Sequence, residues 1–248
     1  MQFSKAEVER YARHLVLREV GGPGQQKLKA ARVAIIGAGG LGAPASLYLA
    51  AAGVGRITLI DPDVADLSNL QRQVIFRSDD LGTPKVEAAA AQLAALNPHV
   101  AVRPLQTALT EANAADLLDG ADLVLDGTDD FATRFAVNAA CVAQGKPLVS
   151  GAIGRWTGQV GVFSGQPCYR CLVPDIPPDA ETCAAVGVVG ALAGVIGSMM
   201  ALEAVKVITG AGEPLSGRLL IYDGLAGETR TVRVGADSGC AVCGARPS

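Results

Sequence analysis

Four of the six cysteines stand in two C-x-x-C pairs, Cys168 with Cys171 and Cys240 with Cys243. Four thiolates match Zn²⁺ in softness and in tetrahedral geometry, and a closed four-thiolate site leaves no open coordination position. A redox role for either pair would leave the other unexplained. The pairs therefore predict a structural zinc site that ties residues near 240 to the middle of the chain.

A glycine turn between two apolar runs is the second chemical signal. Gly37, Gly39 and Gly42 have the spacing G-x-G-x-x-G directly after the run 33–36, and a second run, 57–60, ends at Asp61. In a β-α-β unit such a turn lets backbone N–H groups and a helix N-terminus approach a phosphate. An acidic side chain at this distance can accept hydrogen bonds from ribose hydroxyls, so the pattern predicts a nucleotide site.

Two cations and a group of carboxylates extend this site. Arg72 and Lys85 would singly be surface charges, but together with the glycine turn they could hold the β- and γ-phosphates of a triphosphate. A dinucleotide needs no such cations. Asp126, Asp129 and Asp130 follow the carboxyl end of a predicted strand, where ligands bind in open α/β sheets, and one of them could hold Mg²⁺.

The two remaining cysteines are predicted to differ. Cys141 lies inside a predicted helix and is interpreted as a small buried hydrophobe. Cys183 lies where a proline-rich loop meets an apolar helix, and a helix N-terminus lowers a thiol pKa, so it is either a nucleophile or an inert packed residue. His14 and His99 are too isolated for a catalytic triad or a histidine metal site.

The elements that must position these residues alternate along the chain. Ser4 and Glu7 form a predicted capping box at the start of a helix. The segment 21–24, Gly-Gly-Pro-Gly, is expected to break the chain, and Thr83 and Pro84 are expected to be the N-cap and first position of a helix ending near 97. The first helix is expected to carry Arg10, Arg13, His14 and Arg18, and its three arginines are expected to face solvent.

Strands are further predicted at 100–105, 123–125 and 148–152, with a helix of about ten residues between the first two and another helix at 131–144. This alternation predicts an α/β fold with a Rossmann-like, doubly wound, mostly parallel sheet. The runs 159–163 and 218–234 have no helical crossover, so antiparallel strands are expected to continue the sheet. Residues 1–248 are expected to form a single domain.

The stretch 184–202 holds no charged residue and has the length of a transmembrane helix. It lacks an aromatic belt and flanking cationic anchors, so a central buried helix with glycines for close backbone contact is the preferred interpretation. Glu203 and Lys206 on its last turns are then expected near the surface.

Composition narrows the function classes. Of the 248 residues, 50% are hydrophobic and 18% are charged, which indicates a globular protein. A net charge of −3 gives no sign of nucleic-acid binding. Residues 1–18 are charged throughout and lack the apolar core of a signal peptide, so a cytoplasmic location is expected.

Taken in order, the motifs GAGGLG, LIDPD, SNLQRQ, TPK at 83–85, DGTDD, CYRCL, ETC with the following GV, and CAVC resemble the MoeB/ThiF family. The resemblance implies a homodimeric, ATP-dependent adenylyltransferase acting on a ubiquitin-like sulfur-carrier protein (MoaD/ThiS type) that ends in Gly-Gly. The carrier carboxylate attacks the α-phosphorus of Mg-ATP and gives an acyl-adenylate and pyrophosphate. The parts about 30–152 and about 153–248 would bind nucleotide, and zinc with carrier, respectively.

The resemblance also implies roles for individual residues. Asp61 would bind the ribose, Asp129 would serve Mg²⁺, and Arg13 would reach into the partner subunit's active site. Cys183 matches a position that some members use for a covalent link. The implied catalytic set is Arg13, Arg72, Lys85, Asp129 and Cys183. The implied nucleotide-binding set is Gly37, Gly39, Gly40, Gly42, Asp61, Asp63, Asn69, Arg72, Gln73, Lys85 and Asp129.

Two positions depart from the family pattern, with Asp130 in place of asparagine and Ala191 in place of proline. No rhodanese segment follows the second cysteine pair, so sulfur is expected from a separate sulfurtransferase or cysteine desulfurase. Three alternatives remain: an NAD-dependent oxidoreductase using the same glycine turn, a relative that adenylylates tRNA, and a non-catalytic scaffold. The acidic pI disfavours an RNA substrate, and the redox reading leaves Arg72, Lys85 and the cysteines unexplained.

Overall fold

The computed structural model describes residues 2–176 and 187–244. The strands in this part form one eight-stranded sheet with the order β3-β2-β1-β4-β5-β6-β7-β8. Their bounds are β1 (Arg32–Ile36), β2 (Arg56–Ile60), β3 (Ala101–Leu105), β4 (Leu123–Asp126), β5 (Leu148–Gly154), β6 (Thr157–Phe163), β7 (Arg218–Asp223) and β8 (Glu228–Arg233).

The α-helices connect and cover these strands. Two short 3₁₀ turns, Leu67–Asn69 and Ser78–Asp80, lie between β2 and the next helix. The α-helices within residues 2–176 and 187–244 are α1 (Lys5–Arg10), α2 (Ala12–Leu15), α3 (Gly21–Ala30), α4 (Gly42–Ala52), α5 (Lys85–Leu96), α6 (Ala114–Leu118), α7 (Phe131–Ala143), α8 (Tyr169–Leu172) and α9 (Gly190–Thr209).

The sheet confirms the predicted mixture of strand directions. Strands β3, β2, β1, β4 and β5 pair in parallel, and β5, β6, β7 and β8 pair antiparallel. The parallel half is built from β-α crossovers, whereas β5–β6 and β7–β8 are joined by short turns, as antiparallel neighbours permit. The chain is therefore an α/β fold in which a Rossmann-like parallel sheet is continued by antiparallel strands.

Alternate residues of the central strand serve two hydrophobic layers. Val33 and Ile35 of β1 pack with α3, α4, α5 and α9, whereas Ala34 and Ile36 pack with α6 and α7. All four side chains are at most 2% exposed. A strand that is buried on both faces reads as a continuous apolar run, which is why 33–36 is recognisable in the sequence.

The long apolar helix α9 packs against α4 and against β5 and β6. Its glycines permit close contact, because a Cβ on Gly197 would lie 2.4 Å from Pro44 Cγ and one on Gly190 would lie 2.1 Å from the carbonyl oxygen of Gln71. By length and composition it is the one described helix that could span a membrane. Its packing across the sheet agrees with the interpretation as a core helix.

Several local predictions were wrong or shifted. The segment Gly21–Gly24 does not break the chain but opens α3, because proline is tolerated in the first helical turn. The first predicted helix is divided at Tyr11, so Arg18 lies beyond α2. Pro84, not Thr83, is the N-cap of α5.

Two further differences concern length and burial. Helix α6 has 5 residues, about half the expected length. Glu203 was expected near the surface but is 6% exposed, since its Oε2 accepts a hydrogen bond of 2.7 Å from the N–H of Leu215. Its Oε1 forms an ion pair of 2.6 Å with Lys206. These partners offset the cost of burying the carboxylate.

Candidate nucleotide and metal sites

A cavity of about 650 Å³ opens at the carboxyl ends of β1 and β4. In the sheet, β2 and β3 lie on one side of β1, whereas β4 and β5 lie on its other side. The direction of strand order therefore reverses between β1 and β4. Open α/β sheets bind ligands in the crevice at such a switch point. The ends of β1 and β4 are directly hydrogen-bonded at this point, because the N–H of Gly127 donates to the carbonyl oxygen of Ile36 at 3.0 Å.

The glycine turn forms the floor of this cavity. Gly37 has a φ of +86°, which side-chain-bearing residues rarely adopt. A Cβ on Gly42 would lie 1.8 Å from the carbonyl oxygen of Gly37, so only glycine permits α4 to begin this close to β1. Gly37, Gly39 and Gly40 line the cavity, whereas Gly42 is the first residue of α4 and is not among the lining residues.

Asp61 holds the turn in place at the end of β2. Its Oδ2 accepts a hydrogen bond of 2.8 Å from the N–H of Ala38, and its Oδ1 accepts one of 2.9 Å from the N–H of Asp63. Burial raises the pKa of Asp61, and the charge of Lys85 and these two hydrogen bonds act in the opposite direction. Asp61 lines the cavity, where its remaining lone pairs can accept hydrogen bonds from ribose hydroxyls.

The predicted cations also face the cavity. Lys85 Nζ lies 2.8 Å from Asp63 Oδ2, and the lysine side chain is only 7% exposed whereas the aspartate is 63% exposed. Arg72 Nη1 donates to the carbonyl of Ser68 at 3.1 Å. Asn69 ends the 3₁₀ turn after β2, Arg72 lies in the turn that follows it, and Lys85 is in the first turn of α5. Two elements thus bring positive charge to one opening.

Gln73 supplies an unsatisfied polar group. It is 4% exposed, lines the cavity, and its Oε1 has no hydrogen-bond partner among the described residues. Its Nε2 would lie 3.3 Å from a Cβ built on Gly39. Buried polar atoms normally have partners, so this amide is available to a ligand beside the glycine turn.

Carboxylates lie on the opposite side, after β4. Asp129 is exposed and lines the cavity. Asp130 is the N-cap of α7, and its Oδ1 accepts a hydrogen bond of 2.8 Å from the N–H of Thr133. Asparagine and aspartate are about equally good at this position, so the departure at Asp130 preserves the cap.

A buried ion pair beneath these carboxylates was not predicted from the sequence. Arg134 Nη1 lies 3.8 Å from Asp126 Oδ2, and both residues are at most 5% exposed. Arg134 also donates to the carbonyl of Gly151 at 2.8 Å and to the carbonyl of Thr128. It thereby connects the turn before Asp129 to β5. The sequence signal was that Arg134 is the one charged residue of α7.

The four predicted metal ligands meet in space. The Sγ atoms of Cys168, Cys171, Cys240 and Cys243 all lie within 4.8 Å of one another. The distance from Cys168 to Cys240 is 3.7 Å and that from Cys171 to Cys243 is 3.3 Å, longer than the S–S bond of a disulfide. The cluster could hold a metal ion.

Arg13 and Cys141 are not among the residues that form either site. Arg13 is exposed on α2 and is not among the residues that line the cavity. Cys141 is 2% exposed, and burial raises its pKa to about 12, which agrees with an inert packed thiol. Cys183 lies outside the described residues, so its predicted role stays a prediction. Tyr169, which sequence reasoning did not select, lines the cavity.

Comparison with known proteins places the chain in a family. The model of the ThiF family matches residues 11–242. The sulfur carrier protein adenylyltransferase of Thermus thermophilus is 47% identical over 257 residues, which cover 100% of this chain and 95% of the relative. The molybdopterin-synthase adenylyltransferase of Escherichia coli is 46% identical over 246 residues, which cover 98% of this chain and 99% of the relative.

A crystal structure of Escherichia coli MccB with ATP has a TM-score of 0.80 at 26% identity and covers 94% of this chain and 74% of that chain. A second structure, of MccB with MccA-N7isoAsn, has a TM-score of 0.85 at 25% identity and covers 98% and 76%. The family match spans most of the sequence and agrees with the observed fold. The chain belongs to the ThiF family.

Proposed function

We propose that this protein uses ATP to adenylylate the C-terminal Gly-Gly carboxylate of a ubiquitin-like sulfur-carrier protein of the MoaD/ThiS type. The observation that carries the proposal is the cavity itself, which combines a glycine turn, Arg72, Lys85 and Asp129. Two cations and an exposed carboxylate suit a triphosphate with Mg²⁺ better than a dinucleotide. The names of the Thermus and Escherichia relatives support the same activity.

The reaction requires charge stabilisation more than acid–base catalysis. The carrier carboxylate is already ionised, so one of its oxygens can bond to the α-phosphorus while the bond to the bridging oxygen breaks and pyrophosphate leaves. Arg72 and Lys85 stabilise the charge that develops on the phosphates, and the cavity aligns the two reactants. No general base is required.

The other predicted residues take positions around the nucleotide. Gly39 and Gly40 let backbone N–H groups approach the phosphates, and Asp61 receives the ribose. Asp129 would hold Mg²⁺ together with phosphate oxygens, and that ion would neutralise part of the triphosphate charge. The remaining members of the nucleotide-binding set are Gly37, Gly42, Asp63, Asn69 and Gln73.

A structural Zn²⁺ is proposed for the four cysteines. A tetrahedral ion with Zn–S distances of about 2.3 Å places its sulfurs about 3.8 Å apart, close to the observed 3.7 Å between Cys168 and Cys240. The purified protein should contain about one zinc per chain by elemental analysis. Four freely alkylated thiols and no zinc would contradict this assignment.

A homodimer in which Arg13 reaches the partner subunit's cavity is also part of the proposal. Exposed apolar side chains lie on α4 and α9, which pack against each other, and directly after α2, which packs against α3 as α9 does. They are Val16, Leu17, Tyr48, Val195 and Leu202. Such a surface is typical of an interface. We place the protein in the cytoplasm, with a separate sulfurtransferase or cysteine desulfurase as sulfur donor. Cys183 remains the proposed site of a covalent link to the carrier or to a sulfur donor.

We also propose a single domain, with a nucleotide-binding part at about 30–152 and a zinc- and carrier-binding part at about 153–248.

ATP–pyrophosphate exchange tests the proposed adenylyltransferase activity. Purified protein and Mg²⁺ are mixed with MoaD-type and ThiS-type carriers one at a time. Exchange should appear with one carrier and vanish when its terminal glycine is deleted.

Matched variants make the exchange assay specific. Lys85→Ala should lower exchange by about 100-fold, because a buried cation beside the phosphates is lost. Lys5→Ala removes an exposed lysine from α1 and should leave the rate unchanged. Binding of NAD in preference to ATP, with no exchange with any carrier, would overturn the proposal in favour of the redox alternative.

A further inference from the structure

Helix α7 lies between the two sites described above. Asp130 caps its N-terminus beside the cavity. Arg134 and Asn138 follow at intervals of four residues, so all three lie on one face of the helix. This face also points toward the four-cysteine cluster, because Asn138 Nδ2 donates to Cys168 Sγ at 3.5 Å.

Asn138 makes two contacts that fix its orientation. It is 1% exposed, and its Oδ1 accepts a hydrogen bond of 2.8 Å from the N–H of Tyr169. A backbone N–H can only donate, so the amide oxygen must face Tyr169 and the amide nitrogen must face the sulfur of Cys168. One buried side chain thus holds a metal-ligand candidate and its chain neighbour together.

Tyr169 carries this connection into the cavity. Tyr169 is among the residues that line the cavity, and its ring lies 5.7 Å from that of Phe163 and 6.2 Å from that of Phe135. The guanidinium of Arg134 lies 5.9 Å from the ring. With Ile153 and Val173 it forms a mostly apolar wall, whereas the glycine turn, Asp61 and Lys85 come from other elements.

We propose that Asn138 is a positioning residue that couples the four-cysteine site to this wall, which we assign to the end of the carrier protein. The assignment of the wall rests on the proposed function. The apolar wall suits a polypeptide end, and the charged side suits phosphates. A change at Cys168 therefore alters the binding of the carrier protein through Asn138 and Tyr169, while nucleotide binding is unaffected.

Two substitutions separate the two contacts. Asn138→Leu removes both hydrogen bonds, whereas Asn138→Asp keeps the acceptor for Tyr169 N–H and replaces the donor to sulfur with an acidic oxygen. Gln144→Glu is the matched control, because Gln144 caps the same helix and, within the described residues, its amide donates to the carbonyl of Ala115 and not to a cysteine.

Three measurements are made on the full-length, zinc-loaded chain. These are zinc release to 4-(2-pyridylazo)resorcinol, hydrogen–deuterium exchange of the peptide containing Tyr169, and ATP affinity by equilibrium dialysis. We expect zinc release about tenfold faster in both Asn138 variants. Exchange at Tyr169 should rise in Asn138→Leu more than in Asn138→Asp, with the ATP Kd within about twofold of wild type in both.

With an active carrier, the KM for the carrier should rise in both Asn138 variants and stay constant in Gln144→Glu. Zinc release and Tyr169 exchange equal to those of Gln144→Glu would overturn the coupling. Loss of ATP affinity as large as the rise in carrier KM would overturn its selectivity. If wild-type protein shows no pyrophosphate exchange, the proposed function fails, while zinc release and Tyr169 exchange still decide whether Asn138 couples the two sites.

Discussion

At the residue scale, the absence of a single methyl group at Gly42 sets the shape of the nucleotide turn. A Cβ there would lie 1.8 Å from the Gly37 carbonyl oxygen, and backbone cannot move as a flexible side chain does. We expect Gly42→Ala to destabilise the protein by about 3 kcal/mol through overpacking. It should also abolish ATP binding, as measured by urea unfolding and equilibrium dialysis.

Gly22→Ala is the control for this substitution. Gly22 lies in the first turn of α3, and a Cβ there would meet nothing within 4 Å. Alanine should therefore be neutral or stabilising by up to about 1 kcal/mol. Equal losses in the two variants would show that the Gly37 contact is not what requires glycine at position 42.

The sequence predicted residues whose spacing is local and missed those whose partners are distant. Asp61 and the glycines belong to one β-α-β unit, so the order of residues already implies their geometry. Arg134 meets Asp126 and Gly151 only after the sheet has assembled. In the sequence, Tyr169 is marked only by the cysteines near it. Its contact with the cavity depends on the packing of α8 against α7, which the sequence does not show.

At the element scale, α1 provides a pH-dependent contribution to stability. The hydrogen bond and ion pair with Lys29, 2.7 Å away, together with hydrogen bonds from Ser4, lower the pKa of Glu7 from 4.5 to about 2. The folded state thus favours the ionised form. Glu7→Gln should lower the free energy of unfolding by about 1–2 kcal/mol near neutral pH, since it removes a capping-box partner and a partly buried ion pair.

The sign of this pH dependence follows from the lowered pKa. The contribution of Glu7 is complete above its unfolded value of 4.5 and is lost as the pH falls toward about 2. Urea unfolding at several pH values should show the difference between wild type and Glu7→Gln shrinking over that range. Glu9→Gln, an exposed change on the same helix, should show little difference at any pH.

Element boundaries were predicted well where capping chemistry is local. The Ser4–Glu7 box and the end of α5 at Asn97 follow the expected positions. The GGPG segment misled because glycine and proline are read as breakers, yet α3 gains its stability from tertiary burial of Leu28 and Gln25. Glu203 was misplaced for the same reason, since its partner Leu215 lies in a different segment.

At the scale of the whole molecule, the position of the cavity follows from connectivity. Alternating strands and helices predict a parallel sheet, and crossovers to strands on both sides of β1 produce the switch point at which the cavity opens. The antiparallel half extends that sheet without adding to the glycine turn. The sequence therefore predicted the fold class and the glycine turn beside which the cavity opens, whereas the position of Tyr169 in the cavity wall depends on three-dimensional packing.

The exposed position of Arg13 leads to the largest-scale prediction. In the proposed homodimer Arg13 would act in the second copy, since it is exposed on α2 and is not among the residues that line the cavity of its own chain. Arg13→Ala and Asp129→Ala homodimers should each be inactive in pyrophosphate exchange. When equal amounts are mixed and allowed to exchange subunits, half of the dimers should be mixed, and one of their two sites should contain both residues intact.

Activity in the mixture should therefore recover to about a quarter of wild type, because random pairing gives one working site for every four. Subunit exchange is verified by mass spectrometry with one isotope-labelled chain. A mixture of Asp129→Ala and Lys85→Ala chains is the control, since Lys85 lines the same cavity as Asp129. Pyrophosphate-exchange activity should recover in this control mixture only if Lys85 acts across the subunit interface. Verified exchange without recovery of the Arg13 pair would mean that Arg13 serves its own subunit, and that each cavity completes its site without the partner.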